Sequence, residues 1–253
     1  MRIAVAGGSG TVGRYVLESA KDAGHDTVVL SRSSGVDLRS GEGLATVLAG
    51  VEVIIDTSNS DTTDGAMAQA FFVDVTRRLH AAGAQARVQR LVTLSIVGID
   101  DFPLGYYRAK LAQEAQALSG PLTANVVRST QFHEFAAQLL VRTKRGPLAV
   151  VPQMRLQPIA ARTVGHELVH AALSPPVRPI VEIAGPRQES LVKMARYVVR
   201  QRGQRALVVA LRVPGKAGRK MRSGALVATS DARLLGPTFD EWLATDDARL
   251  PLF

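Results

Sequence analysis

The sequence predicts a doubly wound α/β fold on a parallel sheet. Three observations carry this. Short β-branched runs alternate with helical patterns through the first half of the chain, and a glycine cluster joins the first run to the first helix. The third is size: 253 residues, 46% of them hydrophobic, give ample core for one domain of this class. Strands joined by helices of this length need right-handed crossovers, which make neighbouring strands parallel.

In order, residues 2–7 form a buried strand, and the segment 12–24 repeats Val12, Val16, Leu17 and Ala20 at helical spacing before Gly24 ends it. Residues 26–32 are the second strand, 41–50 a short helix and 51–59 a third strand. A long helix over 65–83, a strand at 87–95, a helix over 106–120 and a strand at 122–129 follow. The second half is less regular. It predicts helices at 130–144, 189–203 and 238–244 and strands at 178–185 and 206–215. The Pro-containing stretches 146–152 and 174–179 read as connections, being too short and apolar for linkers. We expect one domain over 1–253, a nucleotide-binding part at about 1–130, and segments at about 131–160 and 186–253 capping a cleft.

Composition excludes several classes. With no Cys there is no disulfide scaffold, zinc ribbon or thiol catalysis. No apolar stretch approaches the roughly 18 residues of a membrane span, and the N-terminus runs straight into glycines without a leader pattern, so we expect a cytoplasmic protein with no membrane partner. The net charge of +9 is concentrated: between Glu189 and Asp231 there are ten basic residues and no acid. A single aromatic, Tyr197, accompanies them, so no base-stacking platform does. The run reads as a solvated basic face that attracts anionic substrate or cofactor, not as a nucleic-acid footprint.

The first turn carries the chemistry. Gly7, Gly10 and Gly13 stand at three-residue spacing, with Gly8 offering a second register, between the first strand and first helix. Glycines at such a turn permit the tight bend, close approach of a pyrophosphate and helix-on-strand packing. The helix N-terminus beyond adds N–H groups and a positive dipole end. A reader of NAD(H) places an acid about 20 residues on. Here the second strand ends Leu30-Ser31-Arg32-Ser33-Ser34, and Arg32 suits a 2′-phosphate. NADP(H) is therefore expected in preference to NAD(H), with Asp37 placed to accept from the adenine amino group.

Tyr106 and Lys110 lie four apart on one predicted helix face, and Ser95 ends the strand before it. An ammonium beside a phenol lowers its pKa, which makes Tyr106 a feasible acid/base for a carbonyl/alcohol pair, with Ser95 orienting the oxygen. Lys110 would hold the nicotinamide ribose. Thr93 shares the strand face with Ser95, and Tyr107 is one residue off the spacing.

Together GGSGTVG, the LSR strand end, Ser95 and YYRAK resemble the atypical or extended short-chain dehydrogenase/reductases, and most of all their NmrA-like branch. That branch includes isoflavone-reductase-like enzymes, triphenylmethane-reductase-like enzymes and NADP-sensing regulators. The resemblance runs nearly the whole chain, through VVRSTQFHEF at 126–135, the pair Gly185-Pro186 and TFDEW at 238–242. It implies a Rossmann core with a small C-terminal substrate region. Carried over residue by residue, Gly7, Ser9, Gly10, Thr11, Val12 and Arg32 hold pyrophosphate and 2′-phosphate, and Gly13 completes the cofactor-binding set. Asp37 faces adenine, Thr57, Ser58 and Asn59 line the ribose side, and Lys110 meets the nicotinamide ribose. The chain departs from extended members in its short substrate region and in having one serine, followed by Ile96-Val97, where they carry a serine cluster. The implied activity is hydride transfer to or from a small carbonyl, quinone or conjugated substrate, by a monomer or homodimer. The alternative is a non-catalytic NADP(H)-sensing regulator.

Two histidine motifs remain. His166, Glu167 and His170 form H-E-x-x-H on a predicted helix, a zinc signature that here lacks an obvious third ligand. His133-Glu134 has no further ligand at suitable spacing. No metal is expected at either, and Trp242 reads as an anchor for the last helix.

Overall fold

A computed structural model of the chain describes residues 1–62, 64–174 and 178–250, and it has the α/β architecture read from the sequence. The strands are β1 (Arg2–Ala6), β2 (Asp26–Leu30), β3 (Val53–Asp56), β4 (Arg90–Ile96), β5 (Thr123–Ser129), β6 (Lys144–Arg145), β7 (Leu148–Pro152), β8 (Arg155–Leu156), β9 (Ile180–Ala184), β10 (Glu189–Ser190), β11 (Leu207–Leu211) and β12 (Arg233–Leu234). The α-helices are α1 (Gly13–Asp22), α2 (Leu44–Val47), α3 (Gly65–Gln85), α4 (Gly105–Ser119), α5 (Phe135–Thr143), α6 (Ala161–Leu173), α7 (Leu191–Gln201), α8 (Gly215–Ser223) and α9 (Phe239–Leu243). The main sheet has seven strands in the order β12-β9-β5-β4-β3-β1-β2. β1 runs parallel to β2 and β3, β3 to β4, and β9 to β12.

The chain divides into two compact units. The first comprises 1–96, 104–128 and 164–181. Its strand order reverses beside β1, between β2 and β3, and in open α/β sheets ligands bind outside the carboxyl ends of the strands at such a switch point. Beneath it lies a core of Ala4, Leu30, Ile54, Leu79 and Leu91, with Val51 and Leu122 at its edges. α6 lies tight on α1: a Cβ on Gly165 would stand 2.7 Å from Tyr15 Cβ. The second unit comprises 97–103, 129–163 and 182–253. It holds a three-stranded sheet in the order β11-β7-β6 and a short antiparallel pair of β8 and β10. α5 and α7 cover one face of the three-stranded sheet, where Ala149, Val151 and Val208 are buried.

Four sequence expectations are corrected. Residues 146–152 are not a plain connection, because 148–152 is β7. Its prolines mislead: Pro147 precedes the strand, and Pro152 ends it at a position whose missing N–H would face away from β11. The helix expected over 130–144 begins only at Phe135, since Gln131–His133 pair with Ile159 as a parallel bridge. The helix expected over 41–50 is a single turn, Leu44–Val47. α8, directly after Pro214, was not expected at all, because its segment carries no apolar stripe. Of the expected 174–179 connection, 175–177 lie outside the described residues.

Candidate active site

The glycine turn is shaped so that side chains cannot enter it. Gly7 has φ +76°, and a Cβ there would sit 2.7 Å from Thr57 O. A Cβ on Gly13 would meet Gly7 O at 2.1 Å and Gly8 Cα at 2.6 Å. These neighbours are backbone, so they cannot swing aside, and the turn admits no larger residue at either place. Gly10 N donates to Gly7 O at 2.9 Å and closes the loop. Ser9 is exposed, and Val12, which offers no capping side chain, occupies the N-cap of α1. A tight glycine turn followed by a helix N-terminus suits a dinucleotide's pyrophosphate.

At the carboxyl end of β2, Ser31 N donates to Ser34 Oγ (3.1 Å) and Ser34 Oγ to Ser31 O (2.8 Å), which holds a single 3₁₀ turn over Arg32–Ser34. This turn projects Arg32 into solvent, where its guanidinium makes no hydrogen bond or ion pair among the described residues. Asp37 Oδ1 accepts from Arg39 N at 2.7 Å, and the Arg39 guanidinium lies 5.5 Å from the Phe71 ring centroid.

The end of β3 adds a buried network that the sequence reading missed. Asp56 Oδ1 accepts from Ser58 N (2.9 Å), and Asp56 Oδ2 from Gln113 Nε2 (2.9 Å). Lys110 Nζ donates to Gln113 Oε1 (2.5 Å) and to Leu94 O (2.8 Å). Burial pushes the Lys110 ammonium down to about 8, while Asp56 and Glu114 pull it back up. Glu114 is itself held by Arg128, through Nε at 2.9 Å and Nη2 at 2.6 Å, with both side chains nearly buried. One signal for the network was available: an aspartate closing an otherwise apolar strand, with glutamine three residues after the lysine on the facing helix. Thr57 Oγ1 donates to Ala6 O (2.8 Å) and ties the loop ends of β1 and β3 together.

Tyr106 and Lys110 do share a face of α4, and both touch Phe72. Lys110 Nζ is 4.7 Å from its ring centroid, and the Tyr106 centroid is 5.8 Å from it. Tyr106 Oη, however, donates to Asn59 Oδ1 at 2.7 Å, which also accepts from Ser60 N. Neither Ser95 nor Lys110 hydrogen-bonds to it. The expected lowering of the phenol is reversed: burial pushes Tyr106 up to about 12, and the ammonium donates to Leu94 O and Gln113 instead. Tyr107 also rises to about 12, through burial and then through Tyr106. Ser58 Oγ, Thr93 Oγ1 and Ser95 Oγ are buried hydroxyls with no hydrogen-bond partner among the described residues.

The histidine motifs have structural roles. His166 Nδ1 shares a hydrogen bond with Ser19 Oγ (3.0 Å), which links α6 to α1, and Gly165 is the contact residue described above. His133 is fully buried, with Nε2 3.1 Å from Pro237 O and its ring against Phe239 and Trp242. Among the described residues no group of three His, Asp or Glu side chains is placed to hold a metal, and no helix is long and apolar enough to cross a membrane.

Residues 3–97 match the model of the NAD-dependent epimerase/dehydratase family. Among solved structures, MoeE5 in complex with UDP-glucuronic acid and NAD is similar over 98% of this chain and 99% of its own, at 20% identity and TM-score 0.75. A short-chain dehydrogenase/reductase superfamily protein from Agrobacterium tumefaciens with bound NAD is similar over 98% and 96%, at 18% identity and TM-score 0.69. The chain shares the fold of these two structures, and the family model covers a little over a third of its length. Within that fold the matched segment contains the glycine turn, Arg32, the end of β3 and all of β4. A curated relative, the photosystem II assembly factor Ycf39 of Synechocystis sp., is 28% identical over 117 residues. Those residues are 41% of this chain and 36% of that relative, so the match spans about a third of the relative's length.

Proposed function

We propose that this chain is an NADP(H)-dependent oxidoreductase of the NmrA-like type, which transfers hydride to or from a small carbonyl, quinone or conjugated substrate. The observation that carries it is the turn at the β1/β3 switch point, closed to side chains at Gly7 and Gly13, with the unpaired Arg32 guanidinium just past the end of β2. The named structural neighbours carry NAD. An NAD site wants a carboxylate where this chain has Arg32, and a guanidinium matches a 2′-phosphate. We assign the dinucleotide to residues of about 1–130.

The bound dinucleotide supplies the hydride; the chain's residues position the substrate and manage the proton. With its phenol near 12, Tyr106 is protonated at neutral pH and acts as the acid during reduction, once its Oη leaves Asn59 Oδ1 for the substrate oxygen. The partnerless Ser95 Oγ orients that oxygen. Lys110 has three N–H groups with two engaged, so one remains for a ribose hydroxyl. Asp56 and Gln113 hold its ammonium in place. Titration calorimetry with NADP⁺ and NAD⁺ tests the cofactor assignment: NADP⁺ binds more tightly, and Arg32→Ala removes the difference. Equal binding of the two by the unaltered protein overturns it. A panel of quinones and carbonyls, followed through NADPH oxidation, tests the activity, and Tyr106→Phe tests the acid.

One observation favours a second reading, a cofactor-binding regulator without turnover. Tyr106 is joined to Asn59 and to neither Ser95 nor Lys110, and the curated relative is named as an assembly factor, not as an enzyme. Tight NADP(H) binding with no turnover across the panel supports that reading over the first.

A further inference from the structure

The second unit has an open sheet. α5 and α7 cover one face of β11-β7-β6, and the aliphatic side chains of the other face are exposed among the described residues. In register, Leu207 lies beside Leu148, and Val209 beside Val150, with Leu211 next in line. These five aliphatic side chains are 40–64% exposed. β11 is also an edge strand. Its ladder to β7 runs from Leu207 N to Pro147 O (2.7 Å) through Gln153 N to Leu211 O (2.9 Å). Residues 207, 209 and 211 therefore face β7, and Val208 and Ala210 turn their N–H and C=O groups away from it, Val208 with its side chain buried and Ala210 exposed. Among the described residues those groups have no partner. Proteins usually blunt such an edge with a charge, a proline or a bulge; LVVAL has none of them.

The surroundings are predominantly basic, with Glu189 the one acid in the cavity that Ala210 lines beside Arg155, Arg196 and Arg222. The segments 135–163 and 190–230, which supply this sheet and its helices, contain five and ten basic residues and no Asp or Glu. Arg205 and Arg212 stand exposed just outside the two ends of β11. We propose that β11 is a docking edge for an extended, acidic-flanked segment of another protein, which adds as a strand beside Val208 and Ala210 and lays alternate apolar side chains along the Leu207–Val209–Leu211 row.

Three other occupants fit less well. A second copy joined β11 to β11 brings like-charged Arg205 and Arg212 pairs together in either orientation. A lipid surface cannot satisfy the open N–H and C=O groups and leaves them unpaired in an apolar medium. A nucleic acid has no aromatic on this face to stack upon.

The test uses the full chain and a synthetic nine-residue peptide with valine at alternate positions and aspartate at both ends. Its counterpart carries lysine at the ends, and vesicles of phosphatidylglycerol and phosphatidylcholine are a third probe. The aspartate-ended peptide is expected to bind, to slow hydrogen exchange at Val208 and Ala210, and to weaken as salt rises. Ala210→Pro removes one outward N–H and no bond to β7, and it raises the peptide's Kd roughly ten-fold. The charge-swapped variant Arg205→Glu/Arg212→Glu transfers the preference to the lysine-ended peptide, which a merely sticky apolar face would not do. Equal binding of both peptides by the unaltered protein, binding without protection at 208 and 210, vesicle binding in place of peptide binding, or self-association through β11 would each overturn the proposal.

Discussion

The buried His133 ring makes the stability of the second unit depend on pH, and the size of the effect follows from its surroundings. Nε2 meets Pro237 O, so Nδ1 is left without a proton or a partner, fully buried beside Phe239 and Trp242. Protonating Nδ1 would bury a charge, and burial accordingly pushes the imidazole from 6.5 down to about 4, opposed by the Pro237 carbonyl. Because the folded value is depressed, the unfolded chain binds this proton first as pH falls. Stability is complete above about 6.5, declines between 6.5 and 4, and is flat below that range. The linkage relation puts the loss between pH 7.5 and pH 5 at about 2 kcal/mol. His133→Gln keeps a donor for Pro237 O and cannot titrate. Urea unfolding, read by the fluorescence of the lone Trp242, should show the unaltered protein losing about 2 kcal/mol more than His133→Gln over that interval. His80, also lowered by burial, is present in both and cancels. An identical pH loss in the two proteins would refute the reasoning.

Three further predictions follow from the first unit. Gly13→Ala places a Cβ 2.1 Å from Gly7 O, so chemical denaturation should show a loss of about 1–3 kcal/mol and calorimetry a loss of dinucleotide binding. Arg128→Met strands the Glu114 carboxylate in the interior and should cost about 3–5 kcal/mol in urea unfolding, most of it restored in Arg128→Met/Glu114→Leu. Asp56→Asn removes the carboxylate that pulls Lys110 upward, so the ¹³Cε titration of Lys110 should move below about 8; an unchanged midpoint would detach Asp56 from that ammonium.

Much of the first unit was legible in the chain itself. The order of β1, glycine turn and α1, and the Arg32 that follows β2, are matters of local chemistry. A backbone that must bend within a few residues selects glycine, and strands and helices announce themselves through their apolar period. What could not be read was direction and burial. Helical spacing placed Lys110 on the face of Tyr106, but the ammonium turned to Leu94 O and Gln113, and burial raised the phenol instead. Asp56 and Gln113, 57 residues apart, meet only after β3 and α4 have packed. The same holds for β7, read as a connection from its prolines until β11 paired with it and left the aliphatic side chains of its other face exposed. Side-chain identity thus determined which groups are present and which turns are possible. Their ionisation, their partners and their exposure to water were decided by tertiary packing, because desolvation depends on everything that surrounds a group and not on its neighbours along the chain.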